Sequence, residues 1–179
     1  IDVKKVKWIT AEVSSLPSLL ATGRVDGIGQ FTVGEPLLAD AVKPKQLVRF
    51  AYKDAGLDYY GNGIVATEDY LSKNADVVKR FVHASLRGWQ FALKNPKKAV
   101  EDEIKFVPSL DLAKGVAEIG VVRDLAVTPA VEKHGRGSFD PAEMKSSLDF
   151  MVKYVGVTNA PAATDLYATG FLPAKAVKP

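Results

Sequence analysis

The stretch Gly56–Pro96, GLDYYGNGIVATEDYLSKNADVVKRFVHASLRGWQFALKNP, decides the fold prediction for this chain. Its second half is the clearest helix in the sequence, because apolar residues recur there at helical spacing. The stripe they form comprises Val78, Phe81, Val82, Ser85, Leu86, Trp89, Ala92 and Leu93. Asn74 is a suitable N-cap and Pro96 a suitable terminator. We therefore predict a long amphipathic helix that packs on this stripe.

The first half of the same stretch has a different pattern. Glycines bracket Tyr59, Tyr60 and Asn62, which is typical of a loop. The apolar run Ile64–Ala66 then predicts a short strand, and Thr67 is a suitable cap for a small helix. The order is therefore loop, short strand, small helix and long helix.

Upstream of this stretch, short apolar runs alternate with short helices. Strands are predicted at residues 3–10, 25–31 and 47–52, in addition to 64–66. Helices are predicted at Ser14–Thr22 and from the opening Gly34-Glu35-Pro36 to about Ala41. Strands that alternate with helices indicate an α/β layer with mostly parallel strands.

Beyond Asp69 the pattern is helical to near the end of the chain. Helices are predicted at residues 75–95, 96–106 and 110–125, and from Asp140 to Tyr154. Asp140 is followed by proline at the first helical position and by Glu143 three residues later, which is a well-formed start signal. The predicted fold class is thus an α/β N-terminal part followed by an all-helical C-terminal part.

Three blocks of sequence resemble one known family. The run from Tyr60 to Pro96 is similar to its Tyr-Gly-x-Gly-Ile-Val-Ala, Arg-x-Phe-Val, Arg-Gly-Trp and Asn-Pro elements. The blocks Leu19–Gly27 and Leu166–Pro173 are similar to two further family motifs. In order and spacing, the chain resembles the periplasmic solute-binding proteins of ABC importers, in the branch that takes thiamine precursors, sulfonates, taurine or nitrate.

The resemblance implies a two-lobed periplasmic-binding-protein fold of type II. Residues 1–62 would complete the second α/β lobe, and residues 63–179 would form the hinge return and the helices that cover the first lobe. Members of this family are nearer twice the present length, which implies a C-terminal portion. The helices would then need a partner, either a missing N-terminal segment of the same protein or a swapped dimer.

Composition limits the other classes of function. The 179 residues are 47% hydrophobic and 25% charged, with a net charge of +3, as in soluble globular proteins. The basic residues are dispersed, which favours a solvated surface over a nucleic-acid interface. The sequence has no cysteine, so disulfides, thiol catalysis and cysteine-based zinc sites are excluded. His83 and His134 are far apart and lack metal-ligand spacing, so we predict no metal site.

Motifs of catalysis are also missing from the sequence. There is no Gly-x-Ser-x-Gly elbow, no Ser-x-x-Lys and no phosphate-binding P-loop. The run from Gly61 to Ala66 formally fits a dinucleotide fingerprint, but its glycines precede a strand, whereas the fingerprint joins a strand to a helix. We predict no catalytic residues and no cofactor, and therefore not an enzyme.

Five residues are predicted to bind ligand, because ligands of open α/β sheets lie beyond the carboxyl ends of the strands. They are Gln30, Phe31, Glu35, Tyr59 and Asn62. Phe31 and Tyr59 could wall a planar ligand, and the other three could hydrogen-bond it. Alternatives stay open: Phe31 as a core residue, Glu35 as a helix first-turn residue, and one of Tyr59 and Tyr60 as structural. The resemblance places the Gln30–Glu35 loop at the cleft.

The function implied by the resemblance is extracytoplasmic capture of a small organic solute for an ABC-type importer. The ligand would be a pyrimidine, a thiamine precursor or another planar heterocycle, or else a sulfonate- or nitrate-like anion. The partners would be this ligand and a membrane permease, with a periplasmic or extracellular location and a lipoprotein anchor as one option. Two alternatives remain: a pyrimidine-synthesis enzyme of the same ancestry, and a ligand-sensing module of a regulator.

Overall fold

In a computed structural model of the chain, which describes residues 2–57 and 59–179, the regular elements are helices, and no β-strand occurs in these ranges. The α-helices are α1 (Leu16–Ala21), α2 (Glu35–Ala41), α3 (Glu68–Lys94), α4 (Pro96–Ile104), α5 (Leu112–Ala126), α6 (Pro129–His134) and α7 (Pro141–Phe150). Short 3₁₀ turns lie at Val3–Lys5, Val13–Ser15, Thr32–Gly34, Tyr52–Ala55 and Ala163–Leu166, and a π turn at Met151–Val155. Ile1 and Asp58, both within the part predicted to complete the second lobe, lie outside the described residues.

The prediction of an α/β part is wrong for the described residues. The segments predicted as strands at residues 3–10, 25–31, 47–52 and 64–66 are turns or extended chain without strand partners. The physical reason is that a strand satisfies its backbone groups only through a neighbouring strand, whereas a helix satisfies its own. The chain is therefore all-helical where it is regular. The division at residues 62 and 63 stays a prediction.

The helix predictions near the N-terminus are confirmed. Proline lies in the first turn of both α1 and α2, where its missing N–H leaves no helical bond unmade. Gly23 follows α1 with φ of +71°, a left-handed conformation that favours glycine. Local signals alone thus define these two short helices.

Helix α3 joins the two helices predicted after residue 66. The Thr67 hydroxyl accepts a hydrogen bond from the Tyr70 N–H at 3.2 Å, which confirms Thr67 as the cap. The helix kinks at Asn74, whose φ of −134° and ψ of 31° are not helical. The predicted N-cap at Asn74 is therefore a kink inside one 27-residue element.

Side-chain caps also begin the later helices. Asp111 Oδ1 accepts from the Lys114 N–H at 2.9 Å at the start of α5. Asp140 Oδ1 accepts from the N–H of Ala142 at 2.7 Å and of Glu143 at 3.3 Å, as its sequence motif predicts. The sequence analysis missed α6, which Thr128 caps.

Packing centres on α3, α4 and α5. Helix α4 packs against both of the others, and α2 lies on α5. Val100 of α4 is 2% exposed and faces Gly115 of α5, where a Cβ would come within 2.8 Å of Val100 Cγ1. The buried apolar residues among those described are Leu38, Val42, Leu86, Leu93 and Val100.

This core is small for the mass of the chain. The described chain exposes 13,636 Å². A compact monomer of 19.3 kDa is expected to expose about 8,500 Å². Much of the surface therefore consists of side chains that a compact fold would bury. None of the described helices combines the length and apolarity needed to cross a membrane.

Candidate functional site

Three of the predicted ligand-binding residues lie on one turn of chain. Gln30 and Phe31 precede the Thr32–Gly34 turn, and Glu35 is the first residue of α2. The Gln30 side chain folds back, so that its Oε1 accepts a hydrogen bond from the Phe31 N–H at 2.8 Å. The Phe31 ring is largely exposed, so Phe31 is not a core residue in this structure.

The Glu35 carboxylate has a cationic partner from a distant part of the chain. Arg49 Nη1 donates to Glu35 Oε2 at 2.8 Å, and both side chains are partly open to solvent. This ion pair connects the start of α2 to the extended segment that follows Pro44. Glu35 is therefore more than a first-turn residue that interacts with the helix dipole.

A second contact connects the same two segments. A Cβ placed on Gly29 would lie 4.0 Å from Tyr52 Oη, so the Tyr52 hydroxyl passes close to the backbone before Gln30. The ends of the segments predicted as strands at residues 25–31 and 47–52 are thus neighbours. They approach each other through the Tyr52 side chain and the Gly29 backbone, and neither segment is a β-strand.

The other two predicted residues lie elsewhere. Tyr59 and Asn62 are exposed on the extended chain before α3. Within the described residues, no hydrogen bond, ion pair or ring contact joins either of them to the Gln30–Glu35 turn. The structure therefore brings together three of the five predicted residues and leaves Tyr59 and Asn62 apart from them.

Tyr60 has a structural role. Its ring meets the Phe139 ring edge-on, with centroids 5.1 Å apart, and Phe139 in turn contacts Tyr167. Tyr60 Oη accepts a hydrogen bond from the Asp140 N–H at 2.7 Å. Partial burial, with Glu143 nearby, raises the pKa of Tyr60 to about 12. The Tyr60 side chain thus fastens the 59–63 loop to the start of α7, and Tyr59 is the tyrosine left exposed.

The cluster at the Gln30–Glu35 turn offers a defined chemistry. The guanidinium of Arg49 and the carboxylate of Glu35 neutralise each other, and each keeps exposed polar atoms. Phe31, four residues before Glu35, and Tyr52, three residues after Arg49, are exposed aromatic residues of the same two segments. In residues 2–57 and 59–179, no group of three or more His, Cys, Asp or Glu side chains is placed to hold a metal ion. The arrangement suits recognition of a small molecule through aromatic contact and hydrogen bonds.

Sequence reasoning missed Arg49 and Tyr52 as members of this cluster. The two residues are 14 and 23 positions from their partners Glu35 and Gly29, so no local pattern connects them. The available signal was the carboxyl end of the strand predicted at residues 47–52, because ligands of open α/β sheets lie beyond such ends.

Comparisons with known proteins agree with a binding role. A family model described as "NMT1/THI5 like" matches residues 1–99, more than half of the chain, and this range includes all five predicted ligand-binding residues. The riboflavin-binding protein RibY of Chloroflexus aurantiacus is 39% identical over 51 residues, which are 28% of this chain and 14% of RibY. The match thus covers a small part of RibY. Because the same 51 residues are 28% of this chain and 14% of RibY, RibY is about twice as long as this chain. No solved structure matches the chain.

Proposed function

The chain belongs to the NMT1/THI5-like family, and from this premise we propose that it binds a small planar organic solute for an ABC-type importer. The family match and the binding-protein relative support a solute-binding role. The importer, its membrane permease and a periplasmic or extracellular location belong to the proposal.

The ion pair between Arg49 and Glu35 is the observation that carries the choice of ligand class. An anion such as a sulfonate or nitrate would have to compete with the Glu35 carboxylate for Arg49, at a cost in Coulomb energy. A neutral heterocycle needs no such exchange. Its carbonyl oxygens can accept from the outer guanidinium N–H groups, and its ring N–H groups can donate to the carboxylate.

The aromatic side chains favour the same class. Phe31 is exposed four residues before Glu35, and the Tyr52 hydroxyl lies near Gly29, just before the same turn. A flat ring gains area and stacking energy on such side chains, which a small inorganic anion does not. The riboflavin named for RibY and the pyrimidines implied by the sequence resemblance are both planar rings with amide-like edges. We propose a ligand of this type.

A binding assay with the full chain tests this proposal. Riboflavin, an aminopyrimidine, thiamine, taurine and nitrate are titrated, with riboflavin fluorescence and thermal shift as readouts. At a hundredfold excess over its dissociation constant, a bound ligand should add about 2.7 kcal/mol to the free energy of unfolding. We expect a shift from a heterocycle and none from taurine or nitrate.

Variants locate the binding. We expect Phe31→Ala and Glu35→Gln each to weaken heterocycle binding by roughly tenfold, about 1.4 kcal/mol. Phe50→Ala is the matched control, because Phe50 is likewise an exposed phenylalanine, at 85% against 68% for Phe31, but is not among the predicted ligand-binding residues. Equal loss from the control, a shift from the anions alone, or chemical conversion of a titrated compound would contradict the proposal.

A further inference from the structure

The loop at residues 59–63 contains the single asparagine of the sequence that glycine follows, Asn62 before Gly63. An asparagine in this position is chemically labile, because the main-chain nitrogen of the next residue can attack its side-chain Cγ carbon. A following glycine offers the least obstruction, since it has no Cβ and its backbone rotates freely. In a folded chain, the reaction then depends on the hydrogen bonds and packing of both residues.

The structure leaves both groups of this pair free to react. Asn62 and Gly63 are solvent-exposed and lie on the extended chain before α3. Within residues 2–57 and 59–179, the Asn62 side chain takes part in no hydrogen bond and the Gly63 N–H donates none. A Cβ placed on Gly63 would meet nothing within 4 Å. Rotation about the Asn62 bonds can therefore bring the Gly63 nitrogen onto Cγ without breaking a hydrogen bond.

The other asparagines lack one or more of these features. Asn74 lies at the kink of α3 and Asn95 follows its last residue, and the Nδ2 atom of each donates to a backbone carbonyl oxygen at 3.2 Å. Asn95 also precedes Pro96, which has no N–H. Asn159 is exposed, but the residue after it is Ala160, whose Cβ obstructs the attacking nitrogen. Asn62 is therefore the asparagine at which sequence and structure both permit the reaction.

We propose that Asn62 is a site of spontaneous covalent modification. The Gly63 nitrogen forms a bond to Asn62 Cγ and gives up its proton, and the side-chain amino group leaves with that proton as ammonia. The five-membered succinimide ring that results is then opened by water at either carbonyl carbon, which yields an aspartate or an isoaspartate. Water is the only co-reactant, and no electrons are gained or lost. The modification needs no ligand and is therefore independent of the proposed solute binding.

The product differs from asparagine in charge and in main-chain length. A carboxylate replaces a neutral carboxamide, so the net charge of the chain falls by one unit. This carboxylate is two residues from Tyr60, whose hydroxyl accepts from the Asp140 N–H and has the Glu143 carboxylate nearby. Like charges repel, and the isoaspartate form also adds one carbon to the main chain between Tyr60 and the Thr67 cap. We expect both changes to loosen the attachment of the 59–63 loop to α7.

Mass spectrometry of the aged full chain is the first test. Trypsin releases the peptide of residues 54–73, in which Asn62 is the single amide side chain. After days at mildly alkaline pH, this peptide should gain the mass difference between a hydroxyl and an amino group, and it should separate into two isomers. The peptides that contain Asn74, Asn95 and Asn159 should keep their masses.

The free peptide of residues 54–73 gives the rate in the absence of a fold. The folded chain should convert Asn62 at a similar rate, because no hydrogen bond restrains the two reacting groups in the described chain. Conversion that is slower in the folded chain by an order of magnitude or more would overturn the proposal, since the fold would then protect Asn62. Conversion of Asn159 as fast as that of Asn62 would overturn it as well.

Two glycine variants test the attack itself. Gly63→Ala adds a Cβ beside the attacking nitrogen and should slow the conversion by an order of magnitude or more. Gly61→Ala is the matched control, because it precedes Asn62 and leaves the attacking nitrogen unchanged. Alanine fits at both positions, where a Cβ would meet nothing within 4 Å and φ lies outside the left-handed region. Equal conversion rates in the two variants would contradict the proposed attack.

A third variant, Asn62→Asp, introduces the charge of one product directly. Its midpoint of thermal unfolding should lie below that of the natural chain at low ionic strength, and the difference should shrink as salt screens the carboxylates. Asn62→Ser is the neutral control and should keep the midpoint of the natural chain. Equal midpoints for Asn62→Asp and Asn62→Ser would contradict the expected loosening of the loop.

Discussion

The two regions before and after Thr67 differ in how their backbone groups are satisfied. Residues 68–150 are mostly in helices that make their own hydrogen bonds, with side-chain caps at Thr67, Asp111 and Asp140. Residues 2–67 contain two short helices joined by extended segments without strand partners. The first region therefore depends on contacts that its own sequence does not supply.

Burial follows the same division. Leu86 of α3 is 6% exposed and lies beside Gly137, where a Cβ would be 3.4 Å from Leu86 Cδ2. Phe50, in an extended segment of the first region, is 85% exposed. Three of the five buried apolar residues in the described chain lie in the second region, and the other two, Leu38 and Val42, belong to the α2 segment, which lies on α5.

The largest expected effect is a difference in the free energy of unfolding between substitutions in the two regions. Leu86→Ala should lower the free energy of unfolding by about 2–5 kcal/mol, because it removes buried methyl groups and leaves a cavity. Phe50→Ala should change it by less than about 0.5 kcal/mol, as for an exposed side chain. Urea denaturation followed by circular dichroism measures both. A cost for Phe50→Ala near that of Leu86→Ala would show that the first region is packed as tightly as the second.

The next effect tests the contact between α4 and α5. A Cβ at Gly115 would lie 2.8 Å from Cγ1 and 3.1 Å from Cγ2 of the buried Val100. Gly115→Ala should therefore cost about 1–3 kcal/mol through overpacking, in spite of the better helix propensity of alanine. Gly120→Ala, on the same helix with open space at its Cβ, should gain up to about 1 kcal/mol. Equal thermal shifts of the same sign in both variants would show that this helix contact is loose.

Sequence reasoning succeeded for the elements that depend on neighbouring residues. Thr67 and Asp140 are each followed by helical chain whose free N–H groups they cap, as predicted. The helix predicted to open at Gly34-Glu35-Pro36 and to end near Ala41 is observed as Glu35–Ala41. The strands failed because periodicity detects the tendency to extend, while a strand also needs a partner at the right register. The segments at residues 47–52 and 64–66 are extended, but nothing in the described chain pairs with them.

The candidate site shows the same limit. Gln30, Phe31 and Glu35 were found together because they are close in sequence. Arg49 and Tyr52 join them only through folding, so no local pattern indicated the ion pair between residues 14 positions apart. The prediction that one of two adjacent tyrosines is structural fits the structure, in which Tyr60 packs on Phe139. Phe139 lies nearly 80 residues away, so the sequence did not indicate which tyrosine it would be.

A smaller effect tests how far a cap defines the boundaries of the second region. Asp140→Ala removes the oxygen that accepts from the N–H groups of Ala142 and Glu143. We expect a loss of about 1 kcal/mol, the usual value of an N-cap. Asp140→Asn keeps an acceptor oxygen and should recover most of this loss. Denaturant titration measures both variants, and an equal loss in the asparagine variant would assign the effect to the carboxylate charge.

The smallest effect concerns Tyr60, whose hydroxyl connects the two regions, and it appears only at high pH. The pKa of Tyr60 is raised from 10.0 to about 12 in the folded chain, chiefly by burial. Between these values the unfolded chain has lost the phenol proton and the folded chain still holds it. The folded state then binds more protons, so its stability falls as pH rises through this window. The Tyr60→Phe variant has no phenol to ionise, so its stability does not fall in this pH window for that reason.

At pH 8 the variant should be less stable by about 0.5–1.5 kcal/mol, the usual value of the lost hydrogen bond to Asp140. Urea titrations at several pH values should show this deficit shrinking above pH 10, because only the natural chain loses the Tyr60 contribution. A deficit that stays constant from pH 8 to 12 would mean that the Tyr60 hydroxyl is as well solvated in the folded chain as in the unfolded one. In that case Tyr60 would not fasten the 59–63 loop to α7.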